Sequence, residues 1–257
     1  MSSLNHITRL LADTEEGPRR FPPTLLYNEG WLLRLVVDWY HRHPEAKGTL
    51  TFHAGAEWYS EALLESPFLR GQYREGFTHA DAVIGHFEVR KERGDIALRP
   101  EATQFLVVEA KMGSPLSAGT KHAADYNQAA RNVACMIKLI ERYVTSGASL
   151  SDARFIVIAP ESKLKEHGTR ALLDRVHLCE AIRRRAEGRS ADDVEWVNRE
   201  VVPRLTENVL IPACISWEEL LTEIAGLNSD DGKELSDFYG LCREHNRIRE
   251  AENRSSQ

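Results

Sequence analysis

The feature that most constrains this chain is a near-continuous apolar stretch that ends in two charged residues. Phe105-Leu-Val-Val108 is followed by Glu109, Ala110 and Lys111. An apolar run without alternation is typical of a strand that is buried on both faces, in a sheet covered by helices. Because side chains alternate along a strand, Glu109 and Lys111 should point to the same face. The pattern therefore predicts a central strand that emerges at a polar site.

Helix-like and strand-like segments alternate along the rest of the chain. Apolar spacing and breaker residues predict helices over 31–40, 56–64, 123–143, 163–185, 191–205 and from 217 onward, and strands over 49–53, 79–89, 96–99, 104–112, 154–160 and 208–215. Alternation of this kind is typical of an α/β fold with a central mixed β-sheet flanked by helices.

Length and local signals refine this picture. A chain of 257 residues can bury one large core. We expect a single domain over 1–257, with a core at about 50–220 and a peripheral helix and tail at 228–257. Pro212 predicts an edge position or a bulge for the last strand, and Pro203 predicts a break or kink in the helix before it. Ser216 and Glu219 form a capping-box pattern at the start of the next helix.

Composition excludes several classes of protein. The net charge of -6 has the wrong sign for a protein that coats nucleic acid through bulk electrostatics. Four widely separated cysteines without a CxxC pair favour neither a zinc knuckle nor a disulfide framework. No stretch approaches the roughly 20 apolar residues of a membrane-spanning helix, and residues 1–20 are polar. We therefore expect a cytoplasmic protein without a membrane partner.

A second acidic residue is needed if the polar site is to bind a cation. Asp81 lies within the apolar strand segment Ala80-Asp-Ala-Val-Ile-Gly85, whereas Asp95 follows a charged turn and is more typical of a turn residue. We therefore favour Asp81 and keep Asp95 as the alternative. Taken alone, Glu-x-Lys also occurs as a simple ion pair at a strand end.

These segments together resemble the PD-(D/E)XK (restriction-endonuclease-like) nuclease superfamily. The resemblance covers roughly 50–160 and includes Gln128, early in the helix that follows the Glu-x-Lys strand. Ala80 stands where the nominal family motif has proline. The resemblance implies an αβββαβ core with extra N- and C-terminal helices. It also implies that Asp81 and Glu109 ligate Mg²⁺, with Mn²⁺ able to substitute, and that Lys111 assists the attacking water and the transition state.

Two further residues are candidates through the same resemblance. In the family, a glutamate from the first core helix often joins the metal ligands. The predicted helix over 56–64 would place Glu57, Glu61 and Glu65 on one face. We favour Glu61 as the third catalytic and metal-binding residue, with Glu57 as the alternative, and assign Glu65 to a solvated face. Gln128 is a candidate for contact with Lys111 or a phosphate, and an ordinary polar helix position is an equal alternative.

The resemblance implies a Mg-dependent phosphodiester hydrolase that acts on DNA in preference to RNA, in restriction, repair or phage defence. The alternative is a nuclease-fold module that binds nucleic acid or serves as a scaffold without catalysis, which the intact Asp, Glu and Lys disfavour. We recognise no helix-turn-helix, finger or helicase module, so a homodimer or a targeting partner is an open expectation. Arg183–Arg185, Lys121 and Arg131 are candidates for a basic rim, although a charge run on a helix is more often a solvated face.

Overall fold

The computed structural model describes residues 21–71, 73–90, 94–119, 123–144 and 150–248. The strands are β1 (Glu57–Glu65), β2 (Phe77–Gly85), β3 (Phe87–Val89), β4 (Ile96–Leu98), β5 (Gln104–Ala110), β6 (Asp152–Ala159) and β7 (Ile211–Ser216). The helices are α1 (Glu29–Arg42), α2 (Gln128–Tyr143), α3 (Glu161–Glu166), α4 (Thr169–Leu172), α5 (Arg175–Glu187), α6 (Ala191–Trp196), α7 (Val202–Thr206), α8 (Trp217–Leu227) and α9 (Ser229–His245). A 3₁₀ turn at Pro23–Leu25 precedes α1, and a π-helical segment at Val197–Val201 joins α6 to α7.

A five-stranded mixed sheet in the order β1-β2-β5-β6-β7 forms the centre. β1, β2 and β5 pair antiparallel, whereas β5, β6 and β7 pair parallel. β3 and β4 form a separate two-stranded sheet. All seven residues of β5 are buried. The prediction of an α/β fold with a central mixed sheet is therefore confirmed, and so is the buried central strand.

Helices cover both faces of this sheet. Leu106, Val108 and Ala110 of β5 pack in one apolar cluster with α1, α8 and α9. Phe105 and Val107, at the alternate positions, pack in a second cluster with α2, α5 and α7. Glu109 continues the alternation of Phe105 and Val107, so its side chain lies on the α2 face. The core thus fixes the direction in which the Glu-x-Lys strand presents its charges.

The predicted helix over 56–64 is wrong, because this segment is strand β1. The acidic residues at 57, 61 and 65 are spaced by four, and that spacing fits both the helical repeat and the two-residue repeat of a strand. Antiparallel pairing with β2 along the segment decides in favour of a strand. The predicted strand over 49–53 is also wrong, since these residues form turns and coil that still bury Leu50 and Phe52.

Other local predictions hold. β7, which contains Pro212, is the edge strand of the sheet. Ser216 and Glu219 make the capping box that begins α8. Pro203 lies in the first turn of α7, where a proline is tolerated, directly after the π-helical segment.

The C-terminal helix, expected at the periphery, contributes to the core. Leu235, Tyr239 and Cys242 of α9 are buried in the cluster that also holds α1. The tail beyond residue 248 lies outside the described residues. Among the helices in the described part of the chain, none is long and apolar enough to cross a membrane.

Gly85 ends β2 at a position that no other residue fits. Its φ is +145°, and a Cβ atom built there would lie 2.1 Å from the backbone oxygen of Gln104. We expect Gly85→Ala to lower the free energy of unfolding by about 3 kcal/mol, through backbone strain and displacement of β5 from β2. Urea unfolding of the two proteins measures the difference.

Gly240 provides the matched control. It lies within α9, and a Cβ atom there would meet nothing within 4 Å. Gly240→Ala should raise the free energy of unfolding by roughly 0.5–1 kcal/mol, because alanine is the better helix former. Equal stability of Gly85→Ala and the parent would contradict the assigned approach of β2 to β5.

Candidate functional site

The register of the sheet places Asp81 beside Glu109. Ala82 of β2 pairs antiparallel with Val108 of β5, so the next position in each strand sets Asp81 against Glu109. The Asp81 Oδ2 atom accepts a hydrogen bond of 2.7 Å from the Ala110 backbone N–H. Two residues that are 28 positions apart in sequence thus share one end of the antiparallel pair.

A change of face in β1 occurs at the same level of the sheet. Trp58, Ala62 and Leu64 are an even number of residues apart, so they would share one face of a regular strand. Trp58, however, packs against the apolar cluster that holds α1, whereas Ala62 and Leu64 belong to the cluster that holds α2. Glu61 lies between them with a φ of +55°, in the left-handed region. Its neighbours Ser60 and Ala62 pair with β2 on either side of Asp81. Glu61 therefore lies opposite Asp81 at a kink in the strand.

Glu109 is held at both carboxylate oxygens. It is 1% exposed, and its Oε1 atom lies 2.6 Å from Lys111 Nζ. Gln128 Nε2 donates to the same oxygen, and Asn132 Nδ2 donates to Oε2 over 3.3 Å. Gln128 and Asn132 are four residues apart on α2 and so share one helical face. The predicted residues Asp81, Glu109, Lys111 and Gln128 are thus brought together.

Ser117 fixes the orientation of the Gln128 amide. Gln128 Oε1 accepts hydrogen bonds from the Ser117 backbone N–H at 3.1 Å and from its hydroxyl at 3.2 Å. The Gln128 backbone N–H donates to the Ser117 carbonyl at 2.9 Å. Because the amide oxygen is engaged by Ser117, the amide nitrogen is turned toward Glu109. The loop after β5 is therefore tied to the same carboxylate.

Burial raises the proton affinity of both carboxyl groups. Burial, and next the negative charge of Asp81, raise the pKa of Glu109 to about 7, against the opposing effect of Lys111. Burial also raises the pKa of Asp81, and the charge of Glu61 adds to this, whereas the Ala110 N–H and Lys111 lower it. The positive charge in contact with the pair is thus too small to keep both carboxylates fully ionised near neutral pH.

Glu61 lies near this pair but is engaged elsewhere. Its charge acts on Asp81, yet its Oε1 atom is 3.1 Å from Arg34 Nη2, and its side chain is 56% exposed. The predicted position of Glu61 on a core helix is wrong, because Glu61 lies on strand β1. Glu57, four residues before Glu61 in β1, lies 3.5 Å from His41.

Asp95, the alternative to Asp81, takes a different role. It is buried, and its Oδ2 atom lies 3.3 Å from Arg90 Nη1. It also bridges to Leu63 of β1. The charges that act on Glu109 include Asp81 and Lys111. The geometry therefore favours Asp81 as the partner of Glu109.

The basic rim expected from the arginine run is used largely for internal contacts. Arg185 is buried. The partners are Asn198 for Arg183, Asp125 for Arg184 and Glu75 for Arg185. Arg131 is half-buried on α2, and Lys121 lies outside the described residues. Each arginine of the run on α5 thus has a partner within the protein, and of the three Arg184 is the exposed one.

The donor set suits a hard divalent cation. Within the described ranges, no group of three or more His, Cys, Asp and Glu side chains is arranged to hold a metal ion. Mg²⁺, however, is usually bound by one or two carboxylates and completes its shell with water and substrate phosphates. Asp81 and Glu109 supply such a pair. A cation between them would also relieve the repulsion that raises the pKa of Glu109.

Three cavities in the described part of the chain, of about 570, 720 and 760 Å³, lie away from this site. None of the three is lined by Asp81, Glu109 or Lys111. The buried charges, rather than any of these three cavities, mark the site.

Comparison with known proteins adds no relative to this picture. No family model matches the chain, no curated protein matches it, and no solved structure matches it.

Three site residues escaped the sequence reasoning: Asn132, Ser117 and Arg34. Asn132 is fully buried between Arg131 and Val133 of α2. A polar residue one turn after Gln128, among otherwise apolar buried positions, is a signal that could have been used. Ser117 and Arg34 carry no such signal, because each acts through a partner that is distant in sequence or across a loop.

The raised pKa of Glu109 makes stability depend on pH. The folded value of about 7 exceeds the ordinary value of 4.5, so the folded metal-free protein binds this proton more tightly than the unfolded chain does. The resulting stabilisation is complete below pH 4.5 and is lost as the pH rises through about 7. Glu109→Gln has no such titration. In EDTA, we expect the variant to be more stable than the parent at about pH 8 and the difference to shrink toward about pH 5.

Urea unfolding across this pH range checks the expectation, and Mn²⁺ provides the control. Added Mn²⁺ should raise the melting temperature of the parent at about pH 8 and leave that of Glu109→Gln nearly unchanged. A parent that is more stable than Glu109→Gln in EDTA at all pH values would show that the buried carboxylate pair is not under electrostatic strain.

Proposed function

We propose that this chain is a metal-dependent nuclease of the PD-(D/E)XK type, which hydrolyses phosphodiester bonds in DNA. The observation that carries the proposal is the buried Asp81–Glu109 pair with the Lys111 ammonium 2.6 Å from Glu109. Strongly perturbed acidic groups that face one another and a lysine are typical of active sites. A purely structural role would more commonly be met by an exposed ion pair, without two buried like charges.

The order of elements supports the same proposal. α1, β1, β2, β5, α2 and β6 follow one another with only the β3–β4 hairpin inserted. This succession agrees with the αβββαβ core that the family resemblance implies. The two candidate acids lie on adjacent antiparallel strands of that core, and Gln128 lies at the start of the helix after them.

Each residue has a distinct task in the proposed reaction. Asp81 and Glu109 would hold Mg²⁺, which when bound supplies Lewis acidity and charge neutralisation for the attack of water on phosphorus. Gln128 and Asn132 orient Glu109 through its two oxygens. Lys111, whose side chain is 16% exposed, can donate to the attacking water or to a phosphoryl oxygen. Water forms the new P–O bond while the bond from phosphorus to the leaving sugar oxygen breaks; the attacking water releases a proton to solvent, and the leaving oxygen takes one up.

Lys111 provides the sharpest test of this assignment. An interaction made mainly in the transition state lowers turnover and leaves ground-state binding largely intact. We expect Lys111→Ala to reduce cleavage by about a hundredfold or more and to keep near-normal Mn²⁺ affinity in calorimetry. Lys111→Arg should not restore the rate, because a planar guanidinium does not replace a compact ammonium.

The assay should offer plasmid, linear duplex, single-stranded DNA and RNA, each with Mg²⁺, Mn²⁺ or EDTA. Asp81→Asn serves as the metal-site control and should lose both cleavage and Mn²⁺ binding. Tight binding of nucleic acid without cleavage by the parent under any of these conditions would favour the alternative, a non-catalytic binding module. If Lys111→Ala cleaves like the parent while Asp81→Asn is inactive, Lys111 is only an ion-pair partner of Glu109.

A further inference from the structure

Helix α1 leaves the aromatic side chain of Trp31 partly exposed to solvent. The buried face of α1 comprises Leu32, Leu33, Val36, Val37, Trp39 and Tyr40. Trp31 is 40% exposed, and Leu35, one turn later, is exposed to a similar extent. An indole that the core does not use is available for a ligand.

Direct contacts join this indole, through Arg34, to Glu61 of β1. The guanidinium carbon of Arg34 lies 5.2 Å from the centre of the Trp31 ring. Arg34 also donates from Nε to Ser60 Oγ at 2.9 Å and from Nη2 to Glu61 Oε1 at 3.1 Å. Glu61 in turn lies opposite Asp81 in the strand register. Trp31 and Arg34 therefore form one edge of the approach to Asp81.

The path leads from the protein surface to the buried site. Trp31 and Glu61 are exposed, Arg34 is half-buried, and Glu109 at the far end is almost inaccessible. Arg34 has no side-chain hydrogen bond from Nη1 within the described residues. An arginine with Nη1 available, beside an indole that is partly exposed, matches the two parts of a nucleotide, which are a phosphate and a base.

We propose that the substrate presents an unpaired base next to the scissile phosphate, that Trp31 stacks on this base, and that Arg34 contacts the backbone of the same strand. The inference rests on the proposed nuclease function and specifies its substrate class. Inside a duplex both faces of a base are covered by its neighbours, so an indole can stack only on an unpaired or terminal base. Single-stranded DNA, or a single-stranded segment at the cleavage point, is therefore the preferred substrate.

The test compares three probes that share a labelled DNA backbone: a single strand, the same strand with abasic sites in place of its bases, and a blunt duplex. Binding is followed by fluorescence anisotropy in EDTA, and steady-state cleavage is measured in Mg²⁺. We expect Trp31→Ala to weaken binding of the normal single strand about tenfold, the order of loss for one stacked base. The variant and the parent should bind the abasic strand equally well.

Two further variants separate stacking from general apolar contact. Trp31→Phe keeps an aromatic face and should retain most of the affinity, while Leu35→Ala, on the same helix and equally exposed, should bind like the parent. In cleavage, Trp31→Ala should raise KM for the single strand with little change in kcat, because the indole does not touch the reacting atoms.

The inference is overturned if the parent cleaves DNA while Trp31→Ala binds and cleaves the single strand as the parent does. It is equally overturned if Trp31→Ala loses affinity for the abasic strand or the duplex to the same extent as for the normal strand. A parent that cleaves none of the probes in Mg²⁺ or Mn²⁺ contradicts the proposed function itself, a result that is distinguishable from both.

Discussion

Two carboxylates in one buried site repel each other, and a fold can keep them together only if nearby groups supply compensating charge. Asp81 and Glu109 meet this condition in part. Asp81 accepts a hydrogen bond from the Ala110 backbone N–H. Lys111 contacts Glu109, and the side-chain amides of Gln128 and Asn132 donate to Glu109 from α2. The pKa of Glu109 nevertheless rises to about 7. The remaining electrostatic cost is the physical reason for proposing a cation site here in place of a structural ion pair.

The architecture of the sheet explains why this site is buried. β5 is paired antiparallel to β2 on one side and parallel to β6 on the other, and helices cover both faces. This burial removes water from Glu109 and lowers the local dielectric response, which strengthens every charge interaction at the site. The kink at Glu61 brings a third carboxylate toward Asp81 while Arg34 neutralises it. β5 and α2 thus enclose Glu109, while the exposed Glu61 of β1 is paired with Arg34 of α1.

The parts of this arrangement that the sequence predicts are those carried by local patterns. The unbroken apolar run before Glu109 indicates a buried central strand, and the capping box at Ser216 marks the start of a helix, because each signal depends on neighbouring residues only. The strand at Glu57–Glu65 was predicted as a helix, since a spacing of four fits both periods and only pairing with β2 resolves it. The tie between Arg34 and Glu61 depends on contacts between distant segments, which no local pattern encodes.

A crystal of the protein soaked in Mn²⁺ tests most directly whether Asp81 and Glu109 form a cation site. Anomalous diffraction locates the ion independently of activity and of substrate. The account predicts a peak within about 2.0–2.5 Å of a carboxylate oxygen of each residue, the range of hard-cation ligation by oxygen. A well-ordered crystal in which Lys111 keeps its contact with Glu109 and the only peaks lie elsewhere, for example at Asp95, would contradict it.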